Sequence, residues 1–124
     1  MKKGIVLSAL LLTALLVGMG CTTTVMNPGT DSSATYRFGR LTAQEDSDIT
    51  SVYAATEAAV EKLGLSVIQK VKDELEANIV ARDAQDKKII IELLSVTKGT
   101  TEVKVKVGSP DKAARIYQTI HENL

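Results

Sequence analysis

Between Gly64 and Gly108 apolar and polar residues alternate through four successive segments, the period of strands buried on one face only. The apolar sets are Leu65, Val67 and Val71; Leu75, Ala77, Ile79 and Ala81; Ile89, Ile91 and Leu93; and Val103, Val105 and Val107. Keeping all four on one face requires paired residue numbers to sum to an even value, since a slip of one residue turns a strand over. The hairpins then centre near Asp73, Gln85 and Lys98, and the last predicts a Thr97-Lys98-Gly99 loop with Gly99 in the left-handed conformation. Ile68, Val80, Ile90, Leu94 and Val96 fall on the second face, interleaved with Lys70, Lys72, Arg82, Glu92, Lys104 and Lys106.

A helix is expected on either side of this string. Ile49, Val52, Tyr53, Thr56, Ala59, Val60 and Leu63 recur at helical spacing, with Ser47 or Asp48 as N-cap and Gly64 at the left-handed position that ends the helix. Ser109-Pro110 offers a cap and a proline at the first helical position, followed by the stripe Ala113, Ile116, Tyr117, Ile120 and Leu124. Tyr36–Ala43 reads as a first strand with Tyr36 and Phe38 on one side, although Arg40 breaks the alternation. The expected fold is α+β in the order β-α-β-β-β-β-α: an antiparallel sheet of about five strands with two helices on one face.

The N-terminus reads as an address. Lys2-Lys3 precede a predominantly apolar run, Ile5–Val17, and Gly18-Met19-Gly20 supply small residues before Cys21, the order of a secretory signal. The run falls short of the roughly 20 apolar residues of a bilayer span, and only its extension through Cys21 would make an uncleaved anchor. Gly18–Cys21 resembles the lipobox of bacterial lipoproteins, in which a small residue precedes a Cys that is thioether-linked to diacylglycerol before cleavage; it departs from that pattern in having Gly18 where Leu is usual. Cys21 is the chain's only cysteine, so it is either the lipidated residue or a bystander in the signal. Two or more acyl chains anchor stably where one does not. Thr22 following the Cys resembles the outer-membrane sorting pattern, which implies an envelope protein facing the periplasm. Thr22–Ala34, rich in Thr, Ser, Gly, Pro and Asp, is expected to be a flexible linker with a reach of roughly 20 Å. Residues 1–20 are thus expected to form the signal, 21–34 the lipidated Cys and linker, and 35–124 one folded domain.

Composition narrows the function. The 124-residue chain holds 15 basic and 15 acidic residues, and removal of Lys2 and Lys3 with the leader makes the remainder slightly acidic, which argues against a nucleic-acid partner. Aromatics are 3% and Trp is absent, leaving little for stacking bases or sugars. His121 is the only histidine, no Gly-x-Ser-x-Gly elbow occurs, and His121 reads as a solvated helix-end residue. Asp83, Asp86 and Glu92 read as turn and strand-surface residues, so no metal ligands and no cofactor site are expected. The Ala-rich helix running into Lys62-Leu63-Gly64-Leu65, the strand entry Thr100-Thr101-Glu102-Val103 and the exit Val105–Gly108 resemble an uncharacterised family of small bacterial lipoproteins known only as a domain of unknown function. The layout is also similar to the helix-grip lobes of the lipoprotein in the outer-membrane barrel-assembly machine.

Three classes of function stay open. The leading one is a non-enzymatic, lipid-anchored envelope protein that binds a protein partner or another copy of itself through Ile68, Val80, Ile90, Leu94 and Val96. A second is a small-ligand or lipid-binding lipoprotein, which needs a cavity beside the small inward residues Ala55, Ala59, Ala77, Ala81 and Ala113. The third is an enzyme, for which no residue constellation speaks.

Overall fold

The structure, a computed structural model, describes residues 23–26 and 33–124; the leader expected in Met1–Gly20 and the expected lipidation site Cys21 lie outside the described residues. The elements are β1 (Thr23–Met26), β2 (Ser33–Arg37), β3 (Arg40–Glu45), α1 (Ile49–Lys62), β4 (Ser66–Lys72), β5 (Glu76–Arg82), β6 (Lys88–Thr97), β7 (Thr100–Lys106) and α2 (Pro110–Glu122). They form one open antiparallel sheet in the order β1-β2-β3-β7-β6-β5-β4 with the two helices side by side on one face, the α+β class read from the sequence.

Both helices begin and end where their sequences direct. Asp48, not Ser47, caps α1, accepting from the Ser51 amide at 2.8 Å. At its other end Leu65 N–H donates to the Val60 carbonyl at 3.0 Å and Gly64 N–H to that of Glu61 at 3.1 Å, a paired closure that puts Gly64 at φ 68°. Ser109 caps α2, accepting from the Lys112 amide at 3.3 Å, and Pro110 occupies the first turn. The core lies between helices and sheet, where Tyr117, Leu41, Ile79, Ile89, Ile91, Ile116 and Ile120 are its largest fully buried side chains. Ala55, Ala59, Ala77, Ala81 and Ala113 are all buried, and their small side chains let the helices approach closely.

The sheet is wider than the sequence suggested. Tyr36–Ala43, expected as one strand, is a hairpin that turns at Phe38-Gly39 with φ of 52° and 76°, the two positive values that a type I′ turn requires. The break in alternation at Arg40 marks that turn, and Phe38, expected beside Tyr36, stands at its tip. Thr23–Met26, expected as linker, pairs antiparallel with Ser33–Tyr36. The sheet therefore starts before the expected domain boundary.

Two registers follow the sequence argument and one does not. β5 and β6 pair about Gln85 (Ile79 with Ile91, Ala81 with Ile89), and β6 and β7 about Lys98 (Ile91 with Val105, Leu93 with Val103). The latter hairpin absorbs its odd residue in a bulge at Val96 and turns through Lys98-Gly99, so Gly99 is not in the left-handed region as expected. β4 departs from the even-sum rule. Val67 pairs with Ala81, but after a bulge at Ile68 the pairs are Lys70 with Ile79 and Lys72 with Ala77. Lys70 and Lys72 consequently share the helix side, where Lys70 meets Glu57 of α1 at 2.9 Å, and Val71 turns to the other face. Every residue of β4 is exposed. An open edge strand bearing lysines and a bulge is poorly suited to pairing with another sheet.

Candidate functional site

The face of the sheet opposite the helices carries the residues singled out in the sequence. Val80 and Ile90 lie directly opposite one another on β5 and β6 and are half-buried. Leu94, 39% exposed, pairs with Glu76 on one side and Glu102 on the other. Ile68 and Val96 are 54% and 48% exposed, but both are the extra residues of bulges rather than members of a regular row. The structure thus brings Val80 and Ile90 together and leaves Ile68, Leu94 and Val96 dispersed around them. Sequence reasoning missed Val71, which the β4 bulge brings to this face opposite Asn78.

Charge fills the other half of the face. Glu92 pairs across the ladder with Lys104, yet its carboxylate meets Lys106 Nζ at 3.2 Å, while Lys104 meets Glu102 at 3.3 Å. Ion pairs of this exposure contribute about 0–1 kcal/mol each. Their consequence is a surface whose apolar strip, on β4 to β6, borders a balanced charged strip formed by Glu92 of β6 with Glu102, Lys104 and Lys106 of β7. Val71, Asn78, Glu92 and Leu94 line a shallow hollow of about 290 Å³ along that border.

A larger cleft of about 460 Å³ opens at the end of the two layers, between the close of α1, the start of α2 and the β5–β6 loop. Leu63, Leu65, Ile89 and Ile116 supply its apolar lining, while Asp83, Asp111, Lys112 and Arg115 supply its charge. Asp83 organises the loop by accepting from the amides of Gln85 at 2.9 Å and Lys87 at 2.8 Å, and it also accepts from Lys112 Nζ. The Lys112 hydrogen bond, with help from those amides, holds the Asp83 carboxyl down at about 2. As expected, Asp83 and Asp86 are turn residues and Glu92 a strand-surface residue.

One buried polar cluster escaped the sequence reading. Glu45, 4% exposed, accepts a hydrogen bond from Tyr117 OH, and His121 Nδ1 lies 2.9 Å and 3.1 Å from its two oxygens. His121 is therefore a partner of a buried carboxylate, not the solvated helix-end residue expected, because it follows Tyr117 by one turn on the same flank of α2. The signal was present: Leu41, Ala43 and Glu45 occupy successive inward positions of β3. The neighbouring hydroxyl of Thr101 donates to the Ser47 carbonyl at 2.8 Å and ties the β3–α1 connection to β7. Among the described residues no group of three His, Cys, Asp or Glu side chains could hold a metal ion, and no helix is long and apolar enough to cross a membrane.

No curated protein matches the chain. The family described as "Protein of unknown function (DUF3568)" matches residues 4–123, nearly the full length, and the chain belongs to that family.

Proposed function

We propose that the chain is a lipid-anchored protein of the bacterial cell envelope, held through Cys21 in the outer membrane and facing the periplasm, and that its domain acts by binding a protein rather than by catalysis. The observation that carries this reading is the order of the N-terminus: a basic start, an apolar run too short for a comfortable span, small residues, and the only cysteine of the chain. The family match beginning at residue 4 supports it, since leader, Cys21 and domain then belong to one pattern. The contact surface in this proposal is the helix-free face around Val80 and Ile90.

Cys21→Ser tests the anchor, because no other residue of the chain can take the diacylglyceryl group. Radiolabelled palmitate should label the parent chain and not the variant; label retained by the Ser variant refutes the proposal. The double variant Val80→Lys with Ile90→Glu tests the face: it should stay folded and lose both self-association in sedimentation and co-purifying partners. Ile91→Glu, on the buried side, should instead unfold the domain, since an unpaired buried charge costs several kcal/mol against a total stability of about 5–15 kcal/mol. A second reading, small-ligand or lipid binding, has the end cleft in its favour, with an apolar lining beside Lys112 and Arg115. Binding of a fluorescent fatty acid to the protein, weakened by Arg115→Glu at the exposed rim of the cleft while the domain stays folded, would favour that reading over the first.

A further inference from the structure

The turn between β2 and β3 combines three features that the fold does not need. Phe38, the only phenylalanine of the chain, is 81% exposed at the tip. It sits at φ 52°, where a bulky side chain is rare and Asn or Gly is usual. The residues flanking the turn, Arg37 and Arg40, are directly paired across the hairpin and exposed, and like charges so placed repel. Arg40 in turn pairs with Lys106 of β7, which extends the row to three cations. Lys106 is held by Glu92, but among the described residues Arg37 and Arg40 take part in no ion pair, and Arg37 rests its guanidinium 4.9 Å from the Phe38 ring. The turn is firmly placed: Gly39 accepts from the Val107 amide at 3.1 Å, and Tyr36 OH donates to the Val107 carbonyl at 2.7 Å.

β1 runs antiparallel to β2 with Thr23 opposite Tyr36, so the chain enters the sheet at the end that carries this turn. Cys21 stands two residues before Thr23, and two residues span at most about 7 Å. Whatever holds Cys21 or the leader at a membrane therefore holds the Phe38 end of the sheet within reach of it. The acidic residues of the β5–β6 loop, at the same end of the sheet, are already matched, Asp83 by Lys112 and Asp86 by Arg82 at 3.7 Å.

We propose that the Phe38 turn is a second membrane contact, with the Phe38 ring at the boundary between headgroups and acyl chains and Arg37 and Arg40 on anionic lipid phosphates, so that the sheet stands end-on to the bilayer. The proposal rests on the reading of the N-terminus as a membrane anchor. An aromatic ring flanked by cations matches the chemistry of the interface, and the surface potential of anionic lipids offsets the Arg37–Arg40 repulsion.

The absence of Trp from the chain supplies the test. The full chain with Phe38→Trp, purified from membranes and reconstituted in vesicles of phosphatidylethanolamine and phosphatidylglycerol, should show emission shifted to the blue and quenched by brominated acyl chains. Leu75→Trp, at the opposite end of the sheet and 64% exposed, should show neither. Emission from Phe38→Trp that stays water-like overturns the proposal and leaves the turn to a protein contact; equal quenching at both positions overturns the end-on orientation. Palmitate labelling of the same preparations separates the two readings. Quenching without label means that the uncleaved leader is the anchor and the proposal stands, whereas label without quenching means that the anchor stands and the proposal falls.

Discussion

Replacing Phe38 by Asn should stabilise the domain while removing its most exposed aromatic side chain. A left-handed backbone costs an L-residue about 1–2 kcal/mol, and Asn is among the few that visit it readily. Asn followed by Gly39 is moreover the preferred pair for a type I′ turn. Against this gain stands little burial, since Phe38 is 81% exposed, and the stacking of Arg37 at 4.9 Å, a contact worth about 0.5–1 kcal/mol at an exposed site. The net expectation is a gain of roughly 0.5–1 kcal/mol, which for a domain of this size raises the melting temperature by about 2–8 °C. Urea titration and thermal circular dichroism on residues 23–124 measure it. A midpoint unchanged or lowered in the Asn variant would show that the turn stores no strain, and with it would go the argument that the sequence sacrifices stability there.

The glycines separate in the same way. Gly64→Val, at φ 68°, should cost about 1–2 kcal/mol in chemical denaturation, whereas Gly99→Val, outside the left-handed region and with nothing within 4 Å, should stay within about 0.5 kcal/mol. Folding lowers the Asp83 carboxyl from 3.8 to about 2, so its contribution to stability is present above pH 3.8 and lost as pH falls through 2. Lys112→Met should raise that carboxyl's titration midpoint in carbon-detected NMR and narrow the acid window; an unmoved midpoint would assign the shift to the loop amides alone. Tyr117→Phe withdraws a donor from the buried Glu45 carboxylate and should cost about 1–3 kcal/mol, read as a lowered urea midpoint.

Most of the fold was legible because local chemistry and global pattern agree. Asp48, Gly64, Ser109 and Pro110 mark the helix ends, and the alternation through Ile79, Ile91 and Val105 sets the central registers. What failed lies at edges and turns. No apolar period distinguishes Thr23–Met26 from a linker, since backbone pairing with β2 makes it a strand. The bulge at Ile68 moves Val71 to the far face and Lys70 to Glu57, and a single inserted residue leaves no mark in an alternating string. Gly99 suggested a left-handed turn, but the odd residue was absorbed at Val96 instead. Of the proposed face, Val80 and Ile90 were placed correctly because the β5–β6 register was right. Glu45 and His121 went unread because burial of a carboxylate depends on two partners supplied by the distant α2.

The pairing of β3 with β7 has a consequence for the order in which the protein can form. Arg40 lies beside Lys106, so the three N-terminal strands reach the rest of the sheet only through the last strand of the chain. In a chain that emerges N-terminus first, the β2–β3 hairpin appears early and lacks its β7 partner for Leu41 and Ala43 until residues 100–106 arrive. The β4–β5–β6 meander and α1 can meanwhile assemble through near neighbours, for which loop closure is cheap. The rate of folding should therefore be set by the docking of β3 on β7, and a chain interrupted before Thr100 would hold two half-sheets with no strand between them.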